Sequence, residues 1–146
     1  DTEVLKDIKI EVPEMPDTVD KKAGKSTIDI QKLLEIINQR IEVLYDREHT
    51  IGHAYFCGLK KTATLDGLKN VFKKSVLPLL QEYFYDDYEK ICLVLGDRKR
   101  PEQQQFFEVA PVDLQSLFGV EPEFEVNPTY RINPDAFFDV EVYRNL

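Results

Sequence analysis

Residues 26–45 read STIDIQKLLEIINQRIEVLY, and this stretch decides the fold class. Ile30, Leu33, Leu34, Ile37, Ile41 and Leu44 recur at helical spacing and line one face of a helix of about four to five turns with aliphatic side chains. Ahead of them, Ser26-x-x-Asp29 has the form of a capping box with the shorter acid, so the helix is expected to start there. It should stop near Tyr45-Asp46, where the apolar stripe ends.

Further along the chain the same signal returns twice. Leu65, Leu68 and Phe72 form a second helical stripe that resumes through Leu79, Leu80 and Tyr83. Pro78 has no N–H and would clash with the carbonyl four residues back, so this pattern must kink or restart near Ser75. Asp86 or Asp87 can cap a third helix carrying Tyr88, Ile91, Cys92 and Leu95, with Gly96 placed to end it. The connector 47–61 holds Gly52 and Gly58 around the cluster Ala54-Tyr55-Phe56-Cys57. These helices make a small bundle.

Beyond Arg98-Lys99-Arg100-Pro101 the character changes. Phe106-Phe107-Glu108-Val109 reads as a strand, and Pro111 to Phe118 as a helical turn or two ended by Gly119. Phe124-Glu125-Val126 and Thr129-Tyr130-Arg131-Ile132 read as strand broken by Asn127-Pro128, and Asn133-Pro134-Asp135 opens a last short helix. On the other side, 1–27 is a polar lead-in broken by Pro13 and Pro16, with Ile8 to Val12 alternating as a short strand would. The expected organisation is a lead-in over 1–27, a helical subdomain over 28–97 and a strand-and-turn extension over 98–146, mainly α and α+β overall. The chain opens at Asp1 rather than methionine and is expected to be part of a longer polypeptide.

Composition narrows the function classes. Nineteen basic against 27 acidic residues give a net charge of −8, which repels a phosphate backbone. No uncharged run approaches the length that crosses a bilayer, and no secretion signal opens the chain. Cys57 and Cys92 lie in apolar surroundings, as reduced core thiols of a cytoplasmic protein would.

The short motifs mostly dissolve on inspection. Ala23-Gly24-Lys25-Ser26-Thr27 contains the end of a phosphate loop, but Val19 stands where its first glycine belongs. His49 and His53 have the spacing of two zinc ligands on one helical face, but Thr50 replaces the glutamate of the hydrolase motif and no third ligand is evident. No nucleophile motif is present. Tyr83-Phe84-Tyr85-Tyr88 could stack bases, but the flanking Glu82, Asp86, Asp87 and Glu89 favour core packing instead. Taken by residues alone, the chain is a helical domain without an active site of its own.

Three segments together are more specific: Ile37-Asn38-Gln39-Arg40-Ile41-Glu42, His49-Thr50-Ile51-Gly52-His53-Ala54-Tyr55-Phe56, and Pro78 to Asp87 running on to Val94-Leu95-Gly96-Asp97. In this order they resemble the C-terminal part of McrB, the AAA+ GTPase of modification-dependent, 5-methylcytosine-specific restriction systems. The family often reads Ile-Gly-His-Ser-Tyr-Phe where this chain has Ala54, so a hydroxyl contact there is not carried over. The resemblance is strong over roughly 28–97 and loose over the extension.

The resemblance implies a helical lid, the subdomain that follows the nucleotide-binding α/β part of AAA+ proteins. The phosphate loop, magnesium-binding acids, sensor-1 asparagine and arginine finger all lie upstream in the family, so no catalytic or metal-binding residue is assigned here. In such lids a residue called sensor 2 reaches the nucleotide's phosphates, and Gly52 and His53 lie close to its expected place. Gly52 would permit close backbone approach, and His53 would offer a hydrogen-bond donor toward phosphate oxygens; if the turn requires positive φ, a β-branched residue at 52 would fit poorly. A second reading, in which His53 packs or caps the turn, stands beside the first. The segment itself would carry no cofactor; the parent would use GTP or ATP with magnesium. Implied partners are the missing N-terminal nucleotide-binding subdomain, neighbouring subunits of a ring and a McrC-like nuclease, with DNA engaged only through the parent complex and no membrane. The alternative is a helical protein-interaction adaptor with no NTPase parent.

Overall fold

The computed structural model describes residues 2–12, 26–61 and 63–146, so Gly24 and Lys25 of the phosphate-loop-like stretch lie outside the described residues. The fold is mainly α, with six α-helices and two small antiparallel sheets among the described residues. The first sheet pairs β1 (Lys9–Val12) with β2 (Ser26–Asp29), Ile10 opposite Ile28. Both isoleucines are buried, and that burial draws 26–29 into a strand. Ser26 therefore does not cap the first helix. Asp29 does: its Oδ1 accepts the Lys32 N–H at 3.2 Å, and α1 runs Ile30–Leu44.

The stripe on α1 is buried as its spacing requires: Ile30, Leu34, Ile37 and Ile41 are sealed from solvent and Leu33 nearly so. The second helical pattern is one long element in three parts: α2 (Leu65–Val71), a π-helical turn over Phe72–Val76, and α3 (Leu77–Tyr83). The wider turn sits just ahead of Pro78, where an ordinary turn would call for the N–H that proline lacks. Asp87 caps α4 (Tyr88–Val94), and Gly96 at φ +73° follows its end.

The extension packs into the same core. Phe72 stacks on Phe106 at 5.6 Å and meets the Tyr143 ring edge-on at 5.0 Å, while the Tyr143 hydroxyl donates to the Phe137 carbonyl at 2.7 Å. Sheet β3 (Phe107–Ala110) with β4 (Thr129–Ile132) brackets α5 (Leu114–Phe118), and α6 (Val140–Arg144) ends the fold. Phe124-Glu125-Val126 is not strand; with Phe124 exposed, it has neither a pairing partner among the described residues nor a core to face.

A buried polar knot joins the helices to the extension. Arg100, fully enclosed, donates to Asp97 Oδ1 at 2.6 Å and to the Leu95 and Gln104 carbonyls. The Asp97 carboxylate also accepts the Phe106 and Phe107 N–H groups at 2.9 and 3.1 Å, ordering the start of β3. Arg100 is thus no part of an exposed basic cluster; only Arg98 and Lys99 remain at the surface. Beside the knot, burial first and the Asp97 carboxylate second push the Cys92 thiol up to about 12, so it stays protonated and unreactive.

Candidate functional site

The chain reverses direction after α1 through residues 45–53, and side chains from three elements fix its path. Asp46 caps the short 3-10 helix Arg47–His49 by accepting the His49 N–H at 2.9 Å, and contacts the His49 ring nitrogen Nδ1 at 2.7 Å. Desolvation works to raise the Asp46 carboxyl, but the bonds from the His49 ring and amide outweigh it and the net direction is down. The His49 ring lies 4.0 Å from Tyr45 and 5.2 Å from Tyr83, tying the end of α1 to the end of α3.

Asn38 then holds the next residue from both sides. Its Oδ1 accepts the Ile51 N–H at 2.7 Å, and its Nδ2 donates to the Ile51 carbonyl at 2.9 Å. With the Ile51 side chain buried as well, the residue before Gly52 has little freedom left. Sequence reasoning quoted Asn38 without giving it a role. The signal was there: an amide four residues after Leu34 and three before Ile41, on the core-facing side of an amphipathic helix, needs a polar partner.

Gly52 and His53 follow directly on this fixed point. Gly52 is exposed and extended, φ −71° and ψ 148°, and nothing lies within 4 Å of where a Cβ would be. The turn does not require positive φ at 52, so a β-branched residue is not excluded by the backbone, and a need for glycine has to come from what approaches it. His53 is half-buried and opens the 3-10 helix His53–Lys60, anchored below by Phe56 and Leu59. His49 and His53 belong to two different short helices separated by the extended Thr50–Gly52 link, so they share no helical face. Of the aromatic group, Phe84 is buried, Tyr88 packs on Phe107 and Tyr130, and Tyr85 is exposed at φ +50°. Among the described residues no group of three or more histidines, cysteines and acids is placed to hold a metal ion.

What this site offers is positional: a pinned turn that presents an open backbone stretch and an imidazole. Residues 29–92 match the family model of the McrB alpha-helical lid domain, a span that runs from the α1 cap into α4. They are a McrB-type lid. The match takes in Asn38, the turn and both histidines, covers a little under half of the chain, and stops before Gly96, Asp97 and Arg100. No curated protein matches the chain. Within the McrB-type lid, then, the Asn38 clamp belongs to the matched region, whereas the Asp97–Arg100 knot lies in the part that the family model does not reach. No described helix is long and apolar enough to cross a membrane.

Proposed function

We propose that this chain is the lid portion of a McrB-like, NTP-driven restriction subunit, working in the cytoplasm. In that reading it closes over a nucleotide, GTP or ATP with magnesium, held by an upstream subdomain. It also passes the hydrolysis state to neighbouring subunits of a ring and to a McrC-like nuclease. Its contribution is conformational, because a lid acts through two packings that nucleotide biases differently. The observation that carries the reading is the turn held at Ile51 by Asn38 within the McrB-type lid, with Gly52 and His53 next to it. A hydrogen-bond donor acts well on a phosphate only when its support is already in place.

The test uses the full-length subunit. A hydrogen bond to a charged group contributes roughly 1.5–3 kcal/mol, so His53→Ala should lower turnover by about one to two orders of magnitude. Gly52→Val should lower turnover too, while shifting stability by no more than about 0.5 kcal/mol, because its extended backbone suits a β-branched residue. Asn38→Ala should lower both. Turnover and melting temperature measured on each variant separate these outcomes, and unchanged turnover in His53→Ala would sink the nucleotide role.

The adaptor reading draws on the exposed apolar face of α5, and the upstream reading frame decides between the two. A G-x-x-x-x-G-K-[ST] motif followed by an acidic strand end supports the lid. In either reading this segment should grip duplex DNA weakly, since the net charge is −8 and Arg100 is locked to Asp97. A mobility shift at sub-micromolar protein in moderate salt would contradict that and turn attention to Arg98 and Lys99.

A further inference from the structure

The excursion between β3 and β4 is unlike the rest of the molecule. It contains α5, five residues long, and none of the five is buried. So short a helix is marginal in water without packing. It is capped at both ends, with Asp113 accepting the Ser116 N–H at 3.1 Å and Gly119 in the left-handed region at φ +80°. Its apolar side is left open: Leu117 is 64% and Phe118 59% exposed, with Val120 and Phe124 exposed nearby. Leu114, Leu117 and Phe118 face Val126 and Pro128 across a groove of about 290 Å³.

Charge identifies what fits there. Asp113, Glu121, Glu123 and Glu125 lie along this excursion, and no lysine or arginine occurs between Arg100 and Arg131. A nucleic acid or an anionic lipid surface would be repelled. So would the same face of a second copy, since acid would meet acid. Apolar side chains on a stretch whose only charged residues are acids are complementary to a segment that is apolar on one side and basic on the other.

We propose that the groove between α5 and residues 126–128 is a docking site for a basic, amphipathic segment of a partner protein. Docking would bury Leu117 and Phe118 and pair Glu121, Glu123 and Glu125 with lysines or arginines. This inference stands apart from the nucleotide role of the lid, because it rests on residues beyond the matched region.

The test uses the whole chain and a synthetic amphipathic helix of leucine and lysine, paired with a counterpart in which glutamate replaces every lysine. The lysine peptide should bind, and the glutamate peptide at least about tenfold more weakly. Leu117→Ser with Phe118→Ser should weaken binding about tenfold, and Glu121→Gln with Glu123→Gln and Glu125→Gln by a similar factor. Val43→Ser, at a still more exposed apolar position on α1, should change nothing. Circular dichroism should be the same for all variants. Equal binding of both peptides, or binding untouched by the Leu117 and Phe118 changes, overturns the site. So does self-association of the chain that Phe118→Ser abolishes, which would assign the groove to a second copy.

Discussion

Asp97→Ala is expected to cost roughly 3–5 kcal/mol of folding stability, the range for removing one partner of a buried ion pair. Three losses coincide at this residue. The Arg100 guanidinium keeps its carbonyl partners at Leu95 and Gln104 but loses, among the described residues, its only counter-charge within bonding distance, in a place where its side chain has no solvent exposure. The Phe106 and Phe107 N–H groups lose their acceptor at the point where the chain enters β3. A domain of this size is stable by about 5–15 kcal/mol in all, so a large share would go. Urea melts would measure it. Asp97→Leu combined with Arg100→Met should cost less than Asp97→Ala alone, because both charges leave together and shape is kept. A single substitution costing under about 1 kcal/mol would mean that water reaches the guanidinium and the knot holds nothing together.

That knot also marks where sequence reading stops. Periodicity found α1, the interrupted second helix and α4 because each has an apolar stripe whose spacing matches a helical turn. Cap residues narrowed the start of α4 to Asp86 or Asp87, of which Asp87 is the cap, and placed Gly96 at its end for the same local reason. Longer-range facts were not visible. Ser26 has the chemistry of a cap, yet pairing with β1 takes it, since burying Ile10 against Ile28 outweighs a local hydrogen bond. Arg100 reads as one of three surface cations, and only its three-residue spacing from Asp97 hints otherwise. Phe124-Glu125-Val126 alternates like a strand, but no strand among the described residues pairs with it.

The candidate turn was legible in part. Gly52 and His53 came from resemblance, and the structure adds what resemblance could not: a side chain on α1 that fixes the residue before them. The sequence left the conformation of Gly52 open, because glycine in a turn is an ambiguous sign. It can mark a left-handed backbone, as at Gly96 and Gly119, or simply open space, as at Gly52. Only coordinates separate the two.

Gly96 is the position where that distinction matters most. Its φ of +73° alone penalises any residue with a Cβ by about 1–2 kcal/mol. A Cβ there would also lie 2.3 Å from the Leu146 carbonyl oxygen and 2.8 Å from Arg40 Nη1. Neither neighbour can step aside cheaply: Arg40 donates to the Val94 carbonyl at 3.0 Å and to the Leu146 carbonyl at 2.6 Å, tying α1, the end of α4 and residue 146 together. Gly96→Ala should therefore cost roughly 2–4 kcal/mol, above the backbone penalty alone. Gly119→Ala is the matched control, with φ +80° and nothing within 4 Å of the added carbon, so it should show the backbone penalty and no more. Urea melts of the two variants side by side measure the difference between them. If the two cost the same, the Leu146 carbonyl moves away freely and the Arg40 tie is slack; if Gly96→Ala costs clearly more, the closing of residue 146 over Gly96 is part of what holds the helices to the extension.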